Sequence, residues 1–298
     1  MNEKKADYPY LVASSVVEEF RRKGFVITND VFTPSILDHY ANAVDAEVAL
    51  RTLGDDRGIG EKTTYEQSFV QCMRLWETNE VVRALSCDAC LAGIGAQLLG
   101  ADGLHLWQDQ ALYKESGGRE TDPHQDQTFW PIGDADLVSA WIPFDAVTFE
   151  NGAMAYVPGS HKAGGLKPVD ITHSTEPYDI LADPALKGVA PEWVSVNPGN
   201  VVWHHGFTVH QASANTSPKL RRVFTVVFVA AGSRRTKPWP AFPLDRAKVP
   251  VGGLIKGDGL PLVWPVPNQQ PSAPEVVGVA VGPQFQLDIE SKARGPTS

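Results

Sequence analysis

The chain has 298 residues, 43% of them hydrophobic and 20% charged, and a formal net charge of −9. Such a chain can bury a substantial core without disulfide or metal staples. The negative charge argues against a broad grip on nucleic acid or on an anionic membrane surface, though a small pocket can still be basic.

Three cysteines, Cys72, Cys87 and Cys90, are too few and too odd in number for a disulfide framework. Cys87-Asp-Ala-Cys90 has the spacing of half a zinc site, but no second pair exists, so all three read as reduced thiols. The first seven residues carry no apolar signal core, and no apolar run approaches the roughly 18 residues of a membrane span. The expectation is a cytoplasmic protein with no membrane partner and no nucleic-acid partner.

Ser14 to Gly24 reads as a short helix, with Ser14 or Ser15 as the cap and Gly24 as the stop. Phe25-Val-Ile-Thr reads as a strand and Asn29-Asp as a turn. A second helix starts at Thr33-Pro34, since proline suits the first turn, and residues 35–50 repeat apolar positions at helical spacing. Residues 52–66 are polar and Gly-rich, so a loop is expected. Residues 78–99 read as helical again.

From about residue 103 the pattern changes to short β-type runs separated by turn residues. They are 105–114, 137–144, 153–157, 200–203 and 222–229. Glu150-Asn-Gly152 is a hairpin signal between two of them. Residues 162–192 form a long insertion with little pattern. After Gly232 the chain is rich in Pro and Gly, yet it keeps Trp239, Phe242 and Trp264. It is too apolar for a disordered tail and is expected to pack on the rest. This is the rhythm of an antiparallel sandwich or jelly roll. The expectation is a mainly β protein with flanking helices. It is read as one domain over 1–298, with a mainly helical part (1–100), a jelly-roll core (101–232) and an extension (233–298).

The chemistry concentrates at His124-Gln-Asp126 and at the distant His210. Two imidazoles and one carboxylate can hold one face of a ferrous ion and leave the other face open. In a strand His124 and Asp126 point to the same side, and a short turn can also aim them together. His-x-Asp alone is common and carries little weight. The second half adds more. Eleven residues past His210 stands Arg221, opening a β-rich run. A guanidinium there can take a carboxylate in a bidentate pair. That suits a dicarboxylate cosubstrate such as 2-oxoglutarate, whose keto acid end chelates iron.

With His124-Gln-Asp-Gln-Thr-Phe-Trp130, Glu150-Asn-Gly, Val157-Pro-Gly-Ser-His161, Pro198-Gly-Asn-Val-Val-Trp-His-His-Gly, His210, Asn215 and Arg221-Arg222, the sequence resembles the phytanoyl-CoA dioxygenase family from about residue 15 to 232. That resemblance implies a double-stranded β-helix, a cupin-like jelly roll, carrying a dioxygenase dependent on Fe(II) and 2-oxoglutarate. It implies that His124, Asp126 and His210 ligate iron and that Arg221, rather than Arg222, binds the distal carboxylate. Trp141 matches a strand tryptophan beside 2-oxoglutarate, and Trp130 matches a pocket aromatic. Gln110 and Lys114, alternating inward on the strand before the motif, are expected to touch the cosubstrate. One departure stands out. Many members carry Ser two residues after the distal histidine, where this chain has Ala212 followed by Ser213, so Thr225 is a candidate to supply the hydroxyl. His161, His204 and His205 read as structural or supporting residues, and His105 and His173 carry no functional expectation.

The implied reaction converts 2-oxoglutarate and dioxygen to succinate and carbon dioxide while hydroxylating an unactivated C–H bond of a small-molecule substrate, with ascorbate as a possible stimulant. Halogenases of this type replace the carboxylate by a small residue, so Asp126 favours hydroxylation. Desaturation, cyclisation and epoxidation remain alternatives. So do a non-oxidative cupin-like metal protein and a metal-free binding module on the same fold. Substrate identity is expected to lie in residues 52–76, 162–192 and the segment after 232, with Gln71, Arg74, Trp76, Arg234 and Arg235 as rim residues.

Overall fold

The computed structural model describes residues 10–133, 136–171, 174 and 176–281. Helix α1 (Ser14–Lys23) ends at Gly24, which adopts φ +83 and returns its amide to the Phe20 carbonyl. A side chain there would clash, because an added Cβ would lie 2.4 Å from Nδ1 of His161. The expected serine cap is not formed. The chain enters the helix one residue earlier, at Ala13, whose carbonyl accepts from Val16 and Val17, and no side chain caps the turn.

Strand β1 (Phe25–Thr28) leads to α2 (Pro34–Arg51), entered through Pro34 at its first turn. Strand β2 is Val70–Met73. The single helix expected over 78–99 is two, α3 (Glu80–Ser86) and α4 (Ala89–Leu99). Asn79 accepts from the amides of Val81 and Val82. Asp88 accepts from those of Cys90 and Leu91. An aspartate that takes the next turn's amides starts a new helix instead of continuing the old one. The stretch Glu80–Leu99 is apolar enough to resemble a membrane span, but 72% of it is buried in the protein, where Leu85, Leu91 and Ile94 have no exposed surface. Each such side chain contributes about 1.5–3 kcal/mol through burial.

The strands then follow in order: β3 (Leu104–Lys114), β4 (Thr121–His124), β5 (Leu137–Pro143), β6 (Met154–Tyr156), β7 (Glu192–Val194), β8 (Val201–His205), β9 (His210–Ala212) and β10 (Arg221–Ala230). Beyond them lie α5 (Phe242–Arg246), β11 (Leu262–Trp264) and β12 (Ala280–Val281). An eight-stranded antiparallel sheet runs β1-β8-β5-β10-β3-β2-β12, with β11 on the start of β3. A four-stranded sheet runs β4-β9-β6-β7. The two sheets are the halves of a jelly roll. Alternation along β10 divides its residues between two cores. Phe224, Val226 and Phe228 join the helices in one cluster. Val223 joins Trp141, Val202, Met154 and Tyr156 in a cluster that draws on both sheets.

Glu150-Asn-Gly152 does not make the expected hairpin. It is a tight turn, with Asn151 N and Ala153 N both on the Thr148 carbonyl and Gly152 at φ +102. Its flanking strands belong to different sheets: β5 pairs with β8 and β10, and β6 with β7 and β9. Turn chemistry dictates the reversal but not which edge the next strand joins.

The insertion 162–192 is anchored by buried Val169, Ile171, Ile180 and Leu186. The segment after Gly232 packs in the same cluster through Leu244, Val249, Ile255 and Leu260, together with Trp107 and Trp130. It is also tied by a buried ion pair, Arg246 Nη1 to Glu77 Oε2 at 2.8 Å. The same carboxylate oxygen accepts from the Gly278 amide at 2.6 Å.

Candidate active site

His124 ends β4 and His210 opens β9, and the two are paired across the small sheet. Asp126 lies just past the strand, in a short 3-10 turn over Asp126–Phe129. The turn, not strand alternation, brings His124 and Asp126 together. Gln125 pins it, donating to the carbonyls of Gly164 and Phe207 and accepting from the Leu166 amide. One ligand atom from each of His124, Asp126 and His210 lies within 4.8 Å of the others. Asp126 Oδ1 is 3.5 Å from His124 Nε2 and 3.6 Å from His210 Nε2.

The protons are arranged for metal binding. His124 Nδ1 lies 2.7 Å from the Asp122 carbonyl, and His210 Nδ1 lies 3.0 Å from that of Thr208. Each Nδ1 therefore carries the hydrogen and each Nε2 turns a lone pair to the centre. His204, on β8, places Nε2 3.3 Å from the other Asp126 oxygen, Oδ2. It donates there and leaves Oδ1 for a metal. Burial pushes the His210 imidazole down to about 3, so it is neutral at pH 7. Burial opposes the charge on Asp126, but His210, His124 and His204 prevail and hold its carboxyl well below the usual carboxylate range. Two neutral imidazoles and one carboxylate are the donor set that ferrous iron takes with open positions left over.

The triad lines a cavity together with Arg221, Thr225, Trp141, Gln110 and Trp130. Sheet register explains the grouping. Thr225 lies opposite Gln110 on one side and Trp141 on the other, so the three share one face of the large sheet. Arg221, four residues before Thr225, leaves the strand on that same face. Its guanidinium is 5.6 Å from the Trp141 ring centroid and only 3% exposed. Burial lowers it to about 10, which leaves it charged at neutral pH. Arg221 Nε and Thr225 Oγ1 are both buried without a hydrogen-bond partner. A buried cation and hydroxyl left unsatisfied in the wall of a cavity fit the carboxylate of an anionic ligand.

Lys114, expected beside them, is fully buried opposite Arg221 in the register and is not among the residues lining the cavity. Its Nζ donates to the Arg119 carbonyl. Burial, then repulsion from Arg221, lowers it to about 6. Of the expected rim residues, Gln71 lines this cavity and Arg74 an adjoining one. Trp76 is buried in the helical core, Arg235 pairs with Asp245, and Arg234 donates to the Gly252 carbonyl. His161 contacts the Arg21 carbonyl and His105 that of Leu260, both structural positions. His173 lies outside the described residues. Arg222 is bound to Asp45 and Asp145, which leaves Arg221 as the guanidinium facing the cavity.

Sequence reasoning missed Gln125 as the anchor of the turn, and it missed Tyr65. The Tyr65 hydroxyl donates to Gln71 Oε1, and Gln71 Nε2 donates to Gln110 Oε1. Tyr65 sits in a loop without periodicity, so no local signal marks it.

The family model for phytanoyl-CoA dioxygenase (PhyH) matches residues 20–223. The chain is 32% identical over 131 residues to a phytanoyl-CoA dioxygenase domain-containing protein 1 homolog of Caenorhabditis briggsae, across 40% of this chain and 44% of that protein. It is 28% identical over 144 residues to a probable alpha-ketoglutarate-dependent hypophosphite dioxygenase of Stutzerimonas stutzeri, across 47% and 48%. The matched stretch thus spans less than half the length of these curated relatives. Among solved structures, the non-heme alpha ketoglutarate dependent carbocyclase SnoK from nogalamycin biosynthesis superposes with a TM-score of 0.69 at 26% identity, covering 87% of this chain and 98% of that one. EctD from S. alaskensis, solved with 2-oxoglutarate and 5-hydroxyectoine, shares the fold at a TM-score of 0.61 and 21% identity, over 80% and 83%. The chain belongs to the phytanoyl-CoA dioxygenase family, a family of non-haem iron, 2-oxoglutarate-dependent oxygenases.

Proposed function

We propose that this protein uses Fe(II), 2-oxoglutarate and dioxygen to hydroxylate an unactivated C–H bond of a small molecule. One observation carries the reading. The His124–Asp126–His210 cluster opens into the same cavity as an unpartnered, buried guanidinium. A non-oxidative metal protein has no use for Arg221 in that position.

His124, Asp126 and His210 would hold the metal on one face. Arg221 would pair with the distal carboxylate of 2-oxoglutarate, with the Thr225 hydroxyl in place of the serine that Ala212 lacks. Trp141 and Gln110 would wall that cosubstrate, and Lys114, held by the Arg119 carbonyl, would stay outside the cavity. When bound, iron would let dioxygen act as the oxidant, taking two electrons from 2-oxoglutarate as it becomes succinate and carbon dioxide and two from the substrate C–H bond. The chain's share is to orient and to exclude water. Phe129, Trp130 and Met154 give the cavity apolar walls, and His204 keeps Asp126 turned so that one oxygen faces the metal. Ascorbate is expected to support turnover by keeping the metal ferrous. Three buried free thiols suit a reducing cytoplasm.

A second reading keeps the cofactors but ends in ring closure. It is favoured by the 26% identity to a protein named as a carbocyclase, and substrate placement would decide between the two. The test is succinate formation by the purified protein with iron, 2-oxoglutarate, air and a panel of small molecules. Asp126→Ala should abolish it while the circular dichroism spectrum is kept. Stoichiometric iron without succinate, or an Asp126→Ala variant as active as the parent, would overturn the proposal.

A further inference from the structure

A second cavity adjoins the first. Gln108, Phe129 and Trp130 line both. On its far side stand Arg74, just past the end of β2, and the stretch from Pro240 to Pro243 in the C-terminal segment.

Arg74 is the unusual residue here. It is 6% exposed. Its Nε donates to the Gly278 carbonyl at 3.0 Å, and its guanidinium lies 4.6 Å from the Phe242 ring centroid. Among the described residues it forms no ion pair within 4.0 Å: Glu77 and Asp109 act on it from farther away, while Glu77 pairs directly with Arg246 and Glu47 with Arg51. A buried guanidinium with no carboxylate in direct contact is costly unless an anion meets it.

The backbone presents this residue deliberately. Arg74 adopts φ 57 and ψ 43, the left-handed region that residues with a Cβ seldom enter. Asp109 enforces it. The Arg74 amide donates to the Asp109 carbonyl, the amides of Leu75 and Trp76 donate to its carboxylate, and so does the Ser86 hydroxyl.

Four of the other lining residues are aromatic, Trp107, Phe129, Trp130 and Phe242, and Met73, Gln108, Pro240, Ala241 and Pro243 complete the wall. Trp107 is 2% exposed, and its Nε1 is buried without an acceptor. Flat apolar walls, one unpaired cation and one free donor define a narrow ligand chemistry.

We propose that this cavity is the substrate pocket and takes a flat aromatic carboxylate, its ring against the contacting pair Trp107 and Trp130 on one side and Phe242 on the other, and its carboxylate on Arg74. The proposal rests on the oxygenase reading for the reaction, but the binding stands on its own geometry. The edge of the ring remote from the carboxylate meets the lining shared with the first cavity, where the Phe129 ring centroid is 6.0 Å from that of His124.

The test is binding to the full-length protein, read by tryptophan fluorescence and calorimetry, with 2-naphthoate and its neutral analogue 2-naphthamide as probes. The naphthoate should bind at least about tenfold more tightly than the amide. Arg74→Gln should remove that advantage and leave 2-oxoglutarate binding unchanged, which also shows that the variant is folded. Arg74→Lys should restore part of it. Ala241→Trp, which fills the cavity from the C-terminal segment, should abolish binding of both probes but not of 2-oxoglutarate. The proposal is overturned if the naphthoate does not bind or binds no better than the amide. It is also overturned if Arg74→Gln and Ala241→Trp leave naphthoate affinity intact, or if Arg221→Gln alone removes it. Loss of succinate formation with this binding pattern intact would count against the oxygenase reading and not against the pocket.

Discussion

Arg221 and Thr225 stand four residues apart on β10 and face the same cavity, and each holds a buried polar atom with no partner in the protein. Fold stability alone gives no reason to leave two such atoms unsatisfied on one strand face, because each costs free energy until a ligand arrives.

Replacing these residues should therefore act on the anionic cosubstrate and spare the metal. Thr225→Val is expected to weaken 2-oxoglutarate binding about tenfold or more, the size of one hydrogen bond to a charged group. Arg221→Ala should weaken it further, and both should leave iron affinity near that of the parent. Calorimetric titration with each ligand checks this. Equal loss of both ligands would indicate misfolding.

His204 acts through Asp126. With its Nε2 donating to Oδ2 at 3.3 Å, it orients the carboxylate that offers Oδ1 to the metal. His204→Phe keeps the size of the ring but loses the donor, and should lower iron affinity about 10–100-fold. The 2-oxoglutarate affinity of the metal-free protein should not change. An iron titration of parent and variant decides it.

Asp109 gives the fold a pH dependence. Burial raises its carboxyl to about 7, against the hydrogen bonds from Ser86, Trp76 and Leu75. The folded state then binds its proton more tightly than the unfolded chain, whose aspartate titrates near 3.9. Between those two values the folded protein holds the extra proton, so this residue's contribution to stability falls as pH rises from about 4 to about 7 and is constant above that. The loss is of the order of 2–4 kcal/mol. Denaturant unfolding from pH 5 to pH 8 should show this decline in the parent, and Asp109→Asn should flatten it. An unchanged slope in the variant would remove Asp109 from the account.

Gly152 couples the turn at Glu150-Asn-Gly152 to the anion site. It adopts φ +102, and an added Cβ would lie 2.8 Å from Lys114 Cδ and 3.3 Å from Arg221 Nε. Gly152→Ala should destabilise the protein by about 1–3 kcal/mol. It should also weaken 2-oxoglutarate binding, because relief of the contact displaces the guanidinium. Thermal melts and the same cosubstrate titration test both effects.

Much of this was legible in the chain. The short β-type runs bounded by turn residues located β3, β5 and β10 to within a residue or two, although β5 is buried at every position and shows no alternation. His-x-Asp and the distant His210 named three residues that the fold brings together, and the arginine eleven residues beyond lines the same cavity. Helix boundaries were less legible. Residues 78–99 are largely apolar, with no proline or turn pair inside, and the capping geometry of Asp88 divides them. Lys114 was placed on the correct strand face by alternation. Its amine nevertheless turned to the Arg119 carbonyl, a choice of rotamer and partner that spacing does not encode.

The sequence by itself determined which residue types are available and the faces from which they leave their strands, since both follow from local backbone periodicity. Only the tertiary structure decided that a 3-10 turn pinned by Gln125 would aim Asp126 at His124 and His210, and that β5 and β6 would part into separate sheets. It alone decided that Arg74 would be buried with no direct ion-pair partner against residues far along the chain, Phe242 and Gly278. Those outcomes depend on contacts between residues remote in sequence, whose energies arise from packing and desolvation and leave no local pattern to read.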